Sequence, residues 1–159
     1  MPYTEAAILI TIVNGVGMPF RILTPMLASR IGTLNTMSLT IICTSLTGFT
    51  WLAVTDRTGT YVFTTIYGIF CACAQCLMPT GMASITPRLD KVGTRLGMAF
   101  AVASFAGLTG PPLGGAMQAA GGDGFRAAQG WAASVTMVAG LLMAAARFTK
   151  TDWAWWAKA

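Results

Sequence analysis

The sequence predicts an all-α integral membrane protein that crosses the bilayer about five times. Of its 159 residues, 55% are hydrophobic and only 9% are charged, whereas a soluble domain carries about 25% charged residues. Long stretches contain no Asp, Glu, Lys or Arg, and each is long enough for the roughly 20 helical residues that span a hydrocarbon core of about 30 Å. These uncharged runs are 31–55, 58–87, 96–122 and 127–146, and a fifth candidate, 6–29, is interrupted by Arg21 alone.

The glycines and prolines between the runs mark the connections and so predict the helix ends. Transmembrane strands are excluded because they need about 10 residues of alternating polarity, and these runs are continuously apolar. A buried helical core of a soluble protein is excluded because so few charges leave nothing to face water. The predicted helices are 5–29, 34–54, 60–84, 94–118 and 128–148, which makes 1–150 the transmembrane region and 151–159 a cytoplasmic interfacial tail.

The basic residues predict the orientation of the chain. In a chain of alternating spans, the first loop, the third loop and the tail lie on one side of the membrane, and they hold most of the ten Lys and Arg residues. Basic loops face the cytoplasm. We therefore expect a multi-pass protein, in the plasma membrane, with its N-terminus outside and its C-terminus in the cytoplasm. The basic residues on the predicted inner side are Arg30, Arg88, Lys91, Arg95, Arg147, Lys150 and Lys158.

Arg21 is the charge that lies well inside a predicted span. An arginine at the centre of the membrane costs about 2.5–3.5 kcal/mol on insertion scales, and such residues usually face a cavity, a partner or a pathway. Helical spacing places Asn14, Gly17 and Thr24 on the same face as Arg21. A guanidinium matches both oxygens of a carboxylate, so Arg21 and Asn14 are candidate ligands of an anionic substrate. The alternative is that Arg21 snorkels to headgroups about 12 Å away along the helix.

The third span carries a second polar candidate. Gln75 lies at its centre, where an amide either hydrogen-bonds to another helix or lines a substrate cavity. Pro79 follows one turn later and is expected to kink the helix, because proline has no backbone N–H.

The fourth span is rich in small residues. Two pairs of glycines have the four-residue spacing of close helix packing, and a pair of prolines is expected to break the helix in its outer half. The residues assigned to packing or conformational change are Gly93, Gly97, Gly110, Pro111, Pro112 and Gly114, together with Pro19 and Pro79 in the other spans.

The sequence offers no set of catalytic or metal-binding residues. It contains no histidine, no Walker-type loop and no pair of carboxylates within one span. Cys73 and Cys76 have the spacing of half a zinc or redox motif. They lie in an apolar helix, however, and are expected to serve as small apolar packing residues. The basic residues stand singly, which excludes a nucleic-acid surface. We therefore predict a protein that is not an enzyme and that holds no metal or cofactor.

Three segments resemble the major facilitator superfamily of transporters, and within it the fungal monocarboxylate-permease-like group. The resemblance covers nearly the whole chain as helices eight to twelve of twelve, the C-terminal part of the fold. The segments are NGVGMPFRIL at 14–23 with the signature loop LASRIG at 27–32, YGIF at 67–70 with LMP at 77–79 and ITP at 85–87, and GTRLGMAF at 93–100 with TGPPLGG at 109–115.

The resemblance implies secondary transport of a small monocarboxylate-like solute, with Arg21 holding the carboxylate, and leaves proton coupling open. In the signature loop of Ser29, Arg30 and Gly32, serine stands where the family usually has an aspartate, and Gly17 stands where animal relatives carry an acidic residue. Transporters of this type bind substrate between two halves, so the chain is expected to be a transporter fragment that associates with other transporter helices. The alternatives are a non-transporting accessory or regulatory membrane protein and an inactive truncated copy.

The charge pattern gives a testable topology. In a background without the native cysteines, the variant Asp123→Cys should react with a membrane-impermeant thiol reagent added from outside the cell. Labelling of this cysteine only from the cytoplasmic side would reject the predicted orientation.

Overall fold

The computed structural model describes residues 3–120 and 125–150, and within them it is built from α-helices joined by short connections. Five of these helices are long and apolar enough to cross a membrane, which confirms the predicted all-α membrane fold. The five helices are α1 (Tyr3–Ile31), α2 (Thr33–Thr50), α3 (Arg57–Ile85), α4 (Val92–Ala120) and α5 (Arg126–Lys150), with 3-10 turns at Trp51–Ala53 and Leu89–Lys91.

The helix ends differ from the predicted ones by one to four residues. The largest difference is in the second helix, where α2 ends at Thr50 and a 3-10 turn takes the place of its predicted last residues. The predicted tail at 151–159 lies outside the described residues.

The chain is apolar on the outside, and much of its interior is polar or small. Large side chains such as Phe105 and Leu108 are 72% and 75% exposed. The buried polar residues are all serines or threonines, and the buried apolar ones are mostly alanine and leucine. A soluble protein shows the opposite distribution. Lipid is as apolar as a leucine side chain, so the outward-facing leucines lose nothing in a bilayer while small and polar residues hold the helices together.

Helices α1 and α3 run in the same direction and touch where glycines remove the side chains between them. A Cβ atom on Gly68 would lie 3.0 Å from the Cα of Val13, and one on Gly17 would lie 2.6 Å from the Cβ of Ala72. These distances are shorter than ordinary van der Waals contact, so the two backbones approach as closely as they do only because both positions are glycine.

Helices α2 and α5 run in opposite directions and are joined by polar contacts. The Ser45 hydroxyl donates to the carbonyl of Ala133 at 2.8 Å. Towards the other end of the pair, the Arg147 guanidinium donates to the side-chain oxygen of Asn35. The two contacts hold α5 along most of α2.

The remaining buried hydroxyls of α2 are satisfied within the helix itself. Each donates to a carbonyl one turn earlier, and among the described residues no buried side-chain nitrogen or oxygen lacks a partner. Such bonds remove the cost of placing a hydroxyl in an apolar interior. The bonds are Thr36 to Gly32 at 2.9 Å, Ser38 to Leu34 at 2.8 Å, Thr40 to Met37 at 3.0 Å and Thr44 to Thr40 at 2.7 Å.

A single residue, Gly32, connects α1 to α2. Its φ is 107°, a backbone conformation that side chains with a Cβ rarely adopt. Its N–H donates to the carbonyl of Ala28 at 2.8 Å, and its carbonyl accepts from the N–H of Thr36 at 3.1 Å. The reversal is therefore hydrogen-bonded to the ends of both helices, which fixes α1 against α2 on this side of the molecule.

Helix α4 packs only loosely against α3 and α5. None of its residues is buried, and Gly93, Gly97, Gly110 and Gly114 have open space where a Cβ would be. Within the described residues, the face predicted for close packing therefore has no partner.

The prolines of α4 do not break the helix. The expectation of a break at Pro111 and Pro112 is wrong, since α4 continues through both to Ala120. Each proline removes one backbone hydrogen bond, but the bonds on either side remain, and membrane helices commonly tolerate such interruptions.

Apart from Arg21, the charged residues in the described part of the chain lie near the two ends of the bundle. Glu5 and Arg57, at the starts of α1 and α3, form an ion pair. The connections that hold Arg30, and Arg88 with Asp90, lie at the opposite end, because α1 and α3 are parallel. Which end faces the cytoplasm stays a prediction.

The α1–α3 contact predicts the effect of one methyl group. Gly68→Ala should lower the free energy of unfolding by about 1–3 kcal/mol, as overpacked cores do, because the new Cβ meets the Val13 backbone. Gly15→Ala is the control, since nothing lies within 4 Å of its Cβ position. Unfolding with sodium dodecyl sulfate in mixed micelles measures both, and equal stabilities would contradict the contact.

Candidate functional site

The structure brings together the two polar residues that the sequence places inside spans. The Arg21 guanidinium donates through Nη2 to Oε1 of Gln75, with 3.4 Å between the two atoms. The amide nitrogen of Gln75 points to the sulfur of Cys71 at 3.3 Å. The amide is therefore oriented with its oxygen towards the arginine, and α1 and α3 are linked at this level by a hydrogen bond from a cation to a neutral acceptor.

Arg21 has no carboxylate partner among the described residues. The ion pairs in this part of the chain join Glu5 to Arg57 and Arg88 to Asp90. A guanidinium carries five N–H donors, and Gln75 accepts from one nitrogen only. Arg21 is exposed, so its charge and most of its donors are available to an anion that approaches α1 and α3 from that side, the open side of the two helices.

Both members of the pair precede a proline by four residues. Pro25 and Pro79 lie inside α1 and α3. Because proline has no N–H, Pro25 leaves the carbonyl of Arg21 without its helical partner, and Pro79 does the same for Gln75. The pair thus sits where the hydrogen-bond ladders of both helices are interrupted.

The predicted polar face of α1 is divided between two surroundings. Gly17 and Thr24 are buried against α3, and the Thr24 hydroxyl lies 3.0 Å from the sulfur of Cys73. Asn14 is exposed, and its amide donates to a carbonyl of its own helix at 3.0 Å. No hydrogen bond in the described residues joins Asn14 to the Arg21–Gln75 pair.

The signature-loop residues lie at the basic end that holds the α1–α2 reversal. The Ser29 hydroxyl donates to the carbonyl of Met26 at 2.7 Å, within its own helix. Arg30 is exposed. Gly32 forms the reversal itself. No contact in the described residues joins this loop to Arg21.

Two cavities lie away from the arginine. One of about 700 Å³ is formed at the end of α2 and the start of α3, around Thr47 and Phe63. The other, of about 570 Å³, lies between α1, α2 and α3. Neither is lined by Arg21, Gln75 or Asn14, so the arginine faces an open side of the bundle rather than either cavity.

Sequence reasoning missed Pro25 and the sulfur contacts of Cys71 and Cys73. The proline had a usable signal, since its spacing from Arg21 repeats that of Pro79 from Gln75. The cysteine contacts had none, because they depend on how α3 is rotated about its axis. Pro19 lies inside α1 as an exposed residue.

Five apolar helices with a small and polar interior and one arginine at depth define a multi-pass helical membrane protein with a polar site between its spans. The chain is similar to fungal MFS-type transporters. It is 34% identical over 147 residues to an MFS-type transporter of Gibberella zeae, with 92% of this chain and 33% of that protein covered. It is 34% identical over 134 residues to the Aspyridones efflux protein of Emericella nidulans, with 84% of this chain and 27% of that protein covered.

A third relative, MFS-type transporter 1 of Ophiocordyceps sp., is 30% identical over 142 residues, with 89% of this chain and 31% of that protein covered. The chain therefore spans about a third of the length of the curated relatives that it matches. No protein-family model and no solved structure matches it.

The hydrogen bond between α1 and α3 predicts a measurable coupling. In a double-mutant cycle of Arg21→Ala and Gln75→Ala, the coupling free energy should be about 0.6 kcal/mol, the average for hydrogen bonds between membrane helices. The matched cycle of Arg21→Ala and Asn14→Ala should give none, because these side chains share no bond. Unfolding in mixed micelles provides the energies, and equal coupling in the two cycles would contradict the pairing.

Proposed function

We propose that this chain is part of a secondary transporter of the major facilitator superfamily, in which Arg21 binds the anionic group of a small carboxylate-like solute. The observation that carries the proposal is the Arg21–Gln75 pair, a cation at depth in the bundle whose partner is neutral. The resemblance of the sequence to fungal MFS-type transporters supports the transport class.

A carboxylate fits this arginine better than a neutral solute does. A carboxylate carries the opposite charge and can accept two parallel N–H bonds from the guanidinium, whereas the Gln75 oxygen is neutral and accepts from one nitrogen, so a carboxylate would displace the amide oxygen from Arg21. Gln75 in turn would donate its amide nitrogen to the bound solute or return to Cys71. The amide oxygen of Gln75 holds the guanidinium extended across to α3.

The two prolines beside the pair support a role in conformational change. Secondary transporters expose a central site to either side by moving one bundle against another. Pro25 and Pro79 interrupt the hydrogen-bond ladders of α1 and α3 at Arg21 and Gln75. A solute that draws these two residues together acts at the points where both helices bend most easily.

The placement in a complete transporter is also part of the proposal. Motif resemblance supports helices eight to twelve, and the basic residues support a plasma-membrane protein with its N-terminus outside. The remaining helices would then enclose the open side of α1 and α3 and cover the small-residue face of α4. One relative, from Emericella nidulans, is named as an efflux protein. Export is therefore the direction of transport to test first.

Proton coupling needs a titratable group close to the solute. In the described residues the carboxylates are in ion pairs at the ends of the bundle or exposed there, far along the helices from Arg21. A carboxylate that couples transport to protons would therefore come from another part of the transporter.

A second candidate is a non-transporting partner of a longer transporter. The unpartnered glycine face of α4 favours it, because that face suits another helix even if no solute binds. A transport assay distinguishes the two candidates. A non-transporting partner would alter the solute transport of the longer transporter, and this effect would not require Arg21.

The transport proposal predicts the behaviour of Arg21 variants in a longer transporter that contains this chain. Arg21→Ala should weaken solute binding by about 30-fold or more, because truncating one partner of a buried charge pair costs about 2 kcal/mol at least. Arg21→Lys should also weaken it, because an ammonium does not match two oxygens in one plane. Uptake of labelled monocarboxylates into vesicles measures both effects, and Lys91→Gln, which removes an exposed charge at one end, is the control.

The chain by itself should not transport, because five helices form only part of the wall around a central site. Saturable uptake by the purified 159-residue chain would refute this, and unchanged uptake by the Arg21→Ala transporter would refute the role of the arginine.

A further inference from the structure

An elongated groove lies where α1, α2 and α3 meet, and it is the cavity of about 570 Å³ described above. Leu23, Leu27 and Leu39 form its rim, and they are 56%, 49% and 61% exposed. The groove thus opens sideways from the bundle, towards the surroundings of the helices and not towards either end. For a chain that spans a bilayer, those surroundings are lipid acyl chains.

The groove has the length of one leaflet. It is lined from Phe20 to Arg30 along α1, a distance of about 15 Å at 1.5 Å per residue. The hydrocarbon core is about 30 Å thick, so the groove extends from the basic end of the bundle to the middle of the membrane. A single acyl chain of that leaflet has the same extent.

The floor of the groove offers no free hydrogen-bond donor to a polar ligand. Three threonines line it, and each hydroxyl already donates to a carbonyl of its own helix: Thr24 at 2.6 Å, Thr36 at 2.9 Å and Thr40 at 3.0 Å. Its other lining residues, apart from Arg30, carry apolar or sulfur-containing side chains. The interior therefore suits a hydrocarbon chain.

Arg30 is the charged residue that lines the groove, and it stands at the end nearest the membrane surface. It is exposed and forms no hydrogen bond or ion pair within the described residues. The connection with Arg88 and Lys91 lies at the same end of the bundle. A phosphate-bearing headgroup at this level would pair with Arg30, and its acyl chain would lie in the apolar groove.

We infer that this groove binds one acyl chain of an anionic phospholipid, whose headgroup pairs with Arg30. The inference rests on the membrane-spanning fold and is independent of the transport role of Arg21. In the proposed orientation the basic end faces the cytoplasmic leaflet, where anionic lipids attract basic residues close to the surface. The lipid would lie against both helices joined at Gly32 and would fill the space between them.

The test uses the whole chain in vesicles of phosphatidylcholine that contain a trace of a photoactivatable lipid. The lipid carries a diazirine on its acyl chain, under either a phosphatidylglycerol or a phosphatidylcholine headgroup. After irradiation, mass spectrometry of peptides locates the adducts. We expect the phosphatidylglycerol probe to label the groove segments of α1 and α2 about fivefold more than the phosphatidylcholine probe, the ratio that corresponds to about 1 kcal/mol for one basic residue near the surface.

Arg30→Gln should remove this preference, and Lys91→Gln, which makes the same charge change at the same end outside the groove, should keep it. Labelling of the outward face of α4 should be equal for both probes and shows that each variant is inserted. Equal labelling of the groove by both probes, or an unchanged preference in Arg30→Gln, would overturn the inference. Labelling of α4 without labelling of the groove would also overturn it, because another helix would then cover the groove. Displacement of the phosphatidylglycerol probe by a free fatty acid but not by unlabelled phosphatidylglycerol would overturn it as well.

Discussion

At Gly17 and Gly68 neither α1 nor α3 has a side chain to hold the other helix away, and the positions of the candidate site residues depend on this contact. The two backbones meet there closely enough that an added Cβ would overlap its neighbour. Because the helices are parallel, this contact also sets which residues of α1 and α3 face each other further along. It brings Arg21 to Gln75 and Thr24 to the sulfur of Cys73. A shift of one residue in either helix would separate both pairs.

The bilayer imposes the other constraint, which is that polar groups must find partners inside the protein. Three examples from the described residues show how this is done. The hydroxyls of α2 use carbonyls one turn earlier, Ser45 uses a carbonyl of α5, and Arg21 uses an amide across the α1–α3 contact. The arginine differs from the hydroxyls because its partner satisfies only part of its capacity. A satisfied hydroxyl stabilises the structure, whereas a partly satisfied cation leaves room for a ligand.

The sequence was sufficient for the number of helices, their approximate ends and the unusual depth of Arg21, because these depend on composition and on the placement of charge. It was not sufficient for the partner of Arg21, which lies 54 positions away. Which side of α3 faces α1 depends on the glycine contact and not on the polarity of α3. The same limit explains why Asn14 and Thr24, predicted on one face with Arg21, have different surroundings. The proline pair of α4 predicts a break that the helix does not have, because lost hydrogen bonds weaken a membrane helix without ending it.

The hydrogen bonding inside α2 has a consequence for how the chain is made at the ribosome. Helix α2 is synthesised well before α5, and its bond from Ser45 to Ala133 joins residues 88 positions apart. Until α5 leaves the translocon, α2 must stay in the membrane without the helix that later packs against Ser45 and Gly48. It can do so because Thr36, Ser38 and Thr44 already donate to carbonyls one turn earlier, whereas the bonds of Ser45 and Asn35 to α5 form only when that helix arrives. A helix whose hydroxyls are hydrogen-bonded to its own backbone can be inserted before its neighbours. Most of its polar groups then do not depend on the order in which the helices assemble.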